Sequence, residues 1–193
     1  MEKQDQILQA AICVFCQQGF EAASMQAIAE QAGVAKGTLY LYYQSKQDLI
    51  QKTFDFCNES DVAACQQGLE EADGALNKLC LRMRNALRWA MTHPEMNRIE
   101  RMFLTENQKG RYRAQERHVQ VVDQILKDGI RSGELRSLPC DLLGEMFFWL
   151  GLALLNHVSE HPEKLEDEAF WAQAESCVCG LLQNSEQKDA CRR

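Results

Sequence analysis

Apolar side chains recur along nearly the whole chain at intervals of three and four residues, and no window alternates them every second residue. That periodicity is helical and leaves no candidate strand. Ile7, Leu8, Ala11, Ile12 and Phe15 give residues 3–18 one buried stripe, and Gly19 is placed to end that helix. Ser24 is a natural cap for a second short helix over 25–32, closed by Gly33, and a third fits 36–43. Ser45, with Asp48 three residues on, predicts a capped fourth helix running to about Cys65. Gly68 and Gly74 bracket a break before a helix over 75–92, and His93-Pro94 opens the next, over 94–106. Further helices are expected over 111–131, 140–159 and 167–183, with breaks at Gly110, at Gly133 to Pro139 and at Pro162. The fold class is all-α: three short N-terminal helices, then longer ones.

At 193 residues the chain is long enough for one domain, or for a small domain joined to a mid-sized one. Its 46% apolar and 25% charged residues are ordinary globular composition. No apolar run of transmembrane length is expected, so no membrane partner is, and the polar N-terminus carries no leader signal. The nine cysteines read as reduced thiols of a cytoplasmic protein, most of them small buried hydrophobes. Cys13 and Cys16 form an isolated C-x-x-C inside a helical pattern, with no second pair to complete a zinc site. No nucleophile elbow, metal-ligand spacing or glycine-rich phosphate loop is evident, so no catalytic residue, metal or cofactor is expected and the chain is not read as an enzyme. Formal net charge is −7, an unusual sign for a nucleic-acid-binding protein.

The stretch from Ser24 to Leu49 nevertheless points to DNA. Two short helices joined at Gly33 have the form of a helix-turn-helix, whose second helix enters the major groove. Three of the four tyrosines, Tyr40, Tyr42 and Tyr43, fall within four residues of that second helix. Four consecutive helical positions point all round the axis, so they cannot all be core. Leu39 and Tyr43 can share a buried face, which leaves Lys36, Thr38, Tyr40, Leu41 and Tyr42 elsewhere. Hydroxyls and a lysine suit phosphate oxygens, and Gly37 permits close approach.

Residues 7–50 resemble the TetR family of one-component transcriptional regulators. The resemblance rests on Ile28-Ala29, Ala32-Gly33-Val34, Gly37-Thr38-Leu39-Tyr40, Tyr42-Tyr43, Lys46 and Leu49. It implies a helix-turn-helix DNA-binding domain over 1–48 and a roughly six-helix ligand-binding and dimerisation bundle over 49–193. It also implies that Gln26, Lys36, Gly37 and Leu41 meet bases, while Ser24, Thr38, Tyr40, Tyr42 and Lys46 meet phosphates. The chain departs from the family pattern at Met25 and Ala35, where threonine and serine are common, and in lacking a basic N-terminal arm. The function implied is that of a homodimeric repressor, released from a palindromic operator in double-stranded DNA by a small-molecule inducer. The alternative is a helical ligand-binding or scaffold protein with a vestigial helix-turn-helix.

Residues 141–158 are apolar on nearly every helical face, so burial against a second copy is expected. Phe170, Trp171, Ala174, Val178, Leu181 and Leu182 are expected to add a second interfacial surface, with Gly144, Gly151 and Gly180 allowing close approach. A ligand cavity is expected from Trp89, Met102, Phe103 and Phe147, with Met83, Met91, Met96 and Trp149 near them. Glu106, Asn156, His157 and Glu100 are its polar candidates. Such walls suit an apolar or planar cationic molecule. The negative charge then becomes informative. Residues 1–50 hold three lysines against five carboxylates, so DNA affinity is expected to rest on a few placed groups.

Overall fold

The computed structural model describes residues 3–106 and 116–184, all helical apart from connecting turns. The helices are α1 (Lys3–Ala22), α2 (Met25–Gln31), α3 (Lys36–Tyr42), α4 (Lys46–Gln66), α5 (Ala75–Thr92), α6 (Pro94–Glu106), α7 (Glu116–Arg131), α8 (Cys140–Glu160) and α9 (Glu168–Leu182), with a 3-10 turn at Pro162–Glu166 before α9. Breaks fall at the expected glycines and prolines, except that the break at Gly110 and the first turn of the helix expected over 111–131 lie outside the described residues. Gly19, at φ 79°, interrupts the helical path of α1 as expected, and Phe20 to Ala22 resume it briefly beyond the break. The chain divides into two compact units. One takes α1 to α3, most of α4, and α6; the other takes the end of α4, α5 and α7 to α9.

In the first unit, α1 packs its Ile7, Ala11, Ile12 and Phe15 stripe against Ile28, Leu39, Tyr43 and Leu49. From α6, Phe103 stacks on Phe54 with ring centroids 4.2 Å apart, and buried Glu100 accepts from Asn58 Nδ2 at 3.4 Å. Cys16 donates to the Glu95 carbonyl, and Cys13 accepts from Gln17, so the C-x-x-C thiols are engaged separately. Burial raises the Cys16 thiol above its ordinary range and the Cys57 thiol far above it, which favours the protonated, unreactive form of both.

The second unit is built around α5, whose Leu79, Met83 and Leu87 pack with Leu126, Leu143, Phe147, Trp171 and Val178. Glu134 caps α5 from a distance, its two carboxylate oxygens accepting the N–H groups of Ala75 at 2.7 Å and Leu76 at 3.0 Å. Gly129 on α7 is where that cap region closes. A Cβ there would stand 2.5 Å from Ala75 Cβ and 2.6 Å from Leu135, too close without movement. Gly129→Ala is therefore expected to destabilise the chain by about 1–3 kcal/mol through overpacking. Denaturant unfolding checks this, and an unchanged midpoint would mean the approach is looser than it stands.

The last two helices correct two expectations. Trp171, Ala174, Val178 and Leu182, expected on an interfacial surface, are buried inside their own unit, and Arg84 lies 4.9 Å over the Trp171 ring. Their i, i+3, i+7 spacing faces α5 and α8, so the exposed face of α9 is the one carrying Ala172, Ser176, Cys177 and Gly180. Gly144 and Gly151 also face inward, towards Leu126 and Met83, whereas Gly180 meets open space. In α8 only Leu143, Phe147 and Val158 are buried, while Leu142 and Trp149 are 47% and 51% exposed. By length and composition alone α8 is long and apolar enough to cross a membrane, although Asp141 and Glu145 leave it without the run of uncharged apolar residues that the sequence expectation concerned.

Candidate nucleic-acid interface

The turn between α2 and α3 is set by backbone hydrogen bonding. Ser24 Oγ accepts the Ala27 N–H at 3.1 Å and starts α2. At its other end, the Gly33 N–H bonds to Glu30 O and the Val34 N–H to Ala29 O, a paired closure that needs a left-handed residue between. Gly33 supplies it at φ 65°. The chain then re-enters a helix at Lys36 with α3 held against the core by Leu39 and Tyr43, which are 0% and 1% exposed. Burial raises the Tyr43 phenol pKa, as befits an interior group.

Fixing Leu39 and Tyr43 inward turns the rest of α3 outward. Tyr40, Leu41 and Tyr42 are 48%, 83% and 44% exposed, Lys36 and Gly37 are exposed and Thr38 is half-buried. A leucine so bare on a rigid helix has no packing role within the chain. At Gly37 a Cβ would meet nothing within 4 Å, so no internal contact calls for glycine there.

The remaining candidates flank this face and are tied within the protein. Gln26 Nε2 donates to Glu30 Oε1 at 2.7 Å, an i, i+4 pair visible in the sequence. Lys46 Nζ donates to the Glu21 carbonyl at 2.6 Å, which anchors it beside α3 and leaves further donors on the ammonium. Ser45 Oγ accepts the Asp48 N–H at 3.1 Å, and Asp48 returns to the Gln44 N–H at 2.9 Å, one residue earlier than a full capping box. The Glu21 carbonyl that holds Lys46 carried no sequence signal.

The candidate ligand residues are spread over both units. Met102 and Phe103 pack in the first, and Trp89 and Phe147 are buried in the second. Asn156 and His157 are exposed on α8, where His157 stacks on Phe170 at 5.7 Å; the Glu106 side chain lies outside the described residues. An open groove of about 490 Å³ runs along α6, lined by Pro94, Asn97, Arg98, Arg101, Met102 and Thr105. Two arginines there are a signal the apolar pattern did not give.

Residues 7–53 match the family described as bacterial regulatory proteins, tetR family. The chain is 28% identical over 155 residues to the fatty acid metabolism regulator protein of Bacillus subtilis, covering 74% of this chain and 76% of that one. It is 32% identical over 90 residues to the transcriptional regulator TtgR of Pseudomonas putida, covering 45% and 43%. Among solved structures, a TetR family regulator from Marinobacter aquaeolei superposes with a TM-score of 0.80 at 22% identity, covering 94% and 96% of the two chains. The regulator FadR of Bacillus subtilis, solved with stearoyl-CoA, gives 0.74 at 23% identity, covering 92% and 97%. An outward-facing second helix and its glycine turn lie within residues 7–53, the segment that matches the tetR family of bacterial regulatory proteins, and the chain as a whole has the fold of TetR family transcriptional regulators.

Proposed function

We propose that the chain is a cytoplasmic, non-enzymatic repressor that binds a palindromic operator as a homodimer and is released by a small acyl-chain ligand. The observation that carries the DNA reading is the exposed face of α3, with Leu41 83% bare beside Lys36, Gly37, Tyr40 and Tyr42. In it, residues 1–48 form the DNA-binding domain and 49–193 the ligand and dimer domain. Lys36, Gly37, Leu41 and Gln26 meet base edges, where an apolar side chain suits a thymine methyl. Ser24, Thr38, Tyr40, Tyr42 and Lys46 meet phosphates. Two protomers hold their α3 helices about one DNA turn apart, ~34–36 Å.

The dimer reading is supported by α8, whose Leu142 and Trp149 stay exposed on a strongly apolar helix, beside the small-residue face of α9. The repressor reading is supported by relatives that are themselves repressors, among them KstR of Mycolicibacterium smegmatis and of Rhodococcus jostii. For the inducer, a related regulator solved with stearoyl-CoA favours an apolar chain with an anionic head. Arg98 and Arg101 in the α6 groove suit that head better than a planar cation. The test is selection of bound duplexes from a random pool, followed by addition of stearoyl-CoA. The expected result is an enriched two-fold symmetric sequence that is released by the acyl-CoA. Absence of enrichment removes the DNA reading, and binding indifferent to the acyl-CoA removes the ligand reading.

A further inference from the structure

A polar cluster in the second unit is separate from both the α3 face and the α6 groove. Asp61 and Cys65 stand one helical turn apart near the end of α4, so their side chains project to one side, and His118 reaches them from α7. Asp61 Oδ1 lies 3.1 Å from Cys65 Sγ, Asp61 Oδ2 lies 3.2 Å from His118 Nε2, and the ligating atoms all fall within 4.8 Å of one another. The histidine contact is short, yet buried Nε2 makes no hydrogen bond. The Cys65 thiol donates to Asp61 Oδ1, whereas His118 Nε2, beside the same carboxylate, is left without a hydrogen bond and is placed like a ligand facing a shared centre. Bonds of ~2.0–2.3 Å to a tetrahedral zinc-sized ion set neighbouring ligand atoms roughly 3.3–3.6 Å apart, close to the 3.1 and 3.2 Å found at Asp61, with the whole set inside 4.8 Å.

We propose that Asp61, Cys65 and His118 bind a divalent transition ion of the zinc class, with the fourth position open. A thiolate and an imidazole select such ions over magnesium or calcium, which prefer all-oxygen sites. The Asp61 and His118 side chains are 16% and 19% exposed, so the site is reachable from solvent.

Arg82 sets the terms of loading. It is 3% exposed, its Nη2 lies 2.6 Å from His118 Nδ1, and its Nη1 makes no hydrogen bond. An arginine only donates, so Nδ1 accepts and the ring proton sits on Nε2 in the ion-free protein. When the ion binds, it takes the Nε2 lone pair, the ring proton moves to Nδ1, and the Cys65 thiol proton leaves to solvent. Arg82 must then withdraw from Nδ1. It is a built-in opponent of loading, and Arg82→Gln, whose side-chain carbonyl can accept from Nδ1–H, removes that opposition.

Cobalt(II) titration of the full chain under reducing conditions tests the site. The expected spectrum has tetrahedral ligand-field bands and a thiolate-to-cobalt band, all displaced by zinc. Cys65→Ser and His118→Gln are each expected to weaken binding roughly tenfold or more. Asp61→Asn, which keeps the side-chain shape, gives the same reading if either variant loses its helical circular dichroism. Arg82→Gln is expected to tighten binding, and Cys13→Ser to leave it unchanged. A wild-type chain without the thiolate band overturns the proposal. So does a band that survives Cys65→Ser and His118→Gln, since other thiols would then carry it.

Discussion

Lys36→Ala is expected to lower affinity for a selected operator roughly 10²–10⁴-fold and to relax the preference at the base pair it reads. A side chain making a good contact to a base edge is worth about 1–3 kcal/mol. A dimer carries two copies, and each ~1.4 kcal/mol is a factor of ten. Lys36 is exposed at the start of α3, with its helix held by Leu39 and Tyr43, so the substitution removes a contact without disturbing the core. Lys46→Ala is the contrasting case. Its ammonium is anchored by the Glu21 carbonyl, and in the proposed function it meets phosphate, so its loss is expected to weaken all sequences alike and to flatten the salt dependence by about 2 per dimer. Fluorescence anisotropy on the selected and scrambled duplexes separates the two. Equal losses on both duplexes for Lys36→Ala would move that residue from base to backbone.

Trp149→Glu is expected to leave a folded monomer whose operator affinity falls by roughly 10²–10⁴-fold. The indole is half exposed on α8, with its N–H donated to Glu145 at 3.0 Å. In a two-fold interface each carboxylate is introduced twice, next to its own Glu145 and facing the partner's surface. Charges buried there without partners cost far more than the apolar contact they replace. Once dimerisation is lost, the second half-site is no longer bound intramolecularly, and avidity of that order goes with it. Light scattering at micromolar concentration reads the mass directly. A variant that remains a dimer would place the interface elsewhere.

Most of the helix pattern was legible because glycines, prolines and caps punctuate it. Ser24, Gly33 and Ser45 each sit where the backbone needs them. The α3 face followed from counting: with Leu39 and Tyr43 inside, Tyr40, Leu41 and Tyr42 had to be outside. The orientation of α9 was not legible, because a stripe such as Trp171, Ala174 and Val178 reads alike whether it meets its own core or a partner. The Asp61, Cys65 and His118 cluster was hidden for a different reason. Two of its members share a helical turn, but the third lies more than fifty residues away, and only packing in the second unit brings it near. Long-range ties such as Glu134 to the first turn of α5 belong to the same class.

The net charge of −7, and three lysines against five carboxylates in the first fifty residues, make a specific demand on the DNA reading. Binding must rest on a few placed groups and not on a broad basic field. The salt dependence of affinity, measured in parallel on a selected and a scrambled duplex, tests this most directly. Expected are a clear preference for the selected duplex and a shallow logarithmic slope of about −2 to −4, from the two phosphates that Lys46 of each protomer neutralises and the few counterions displaced by the other placed groups. Equal affinity for the two duplexes, or a slope of about −8 or steeper, would contradict that reading.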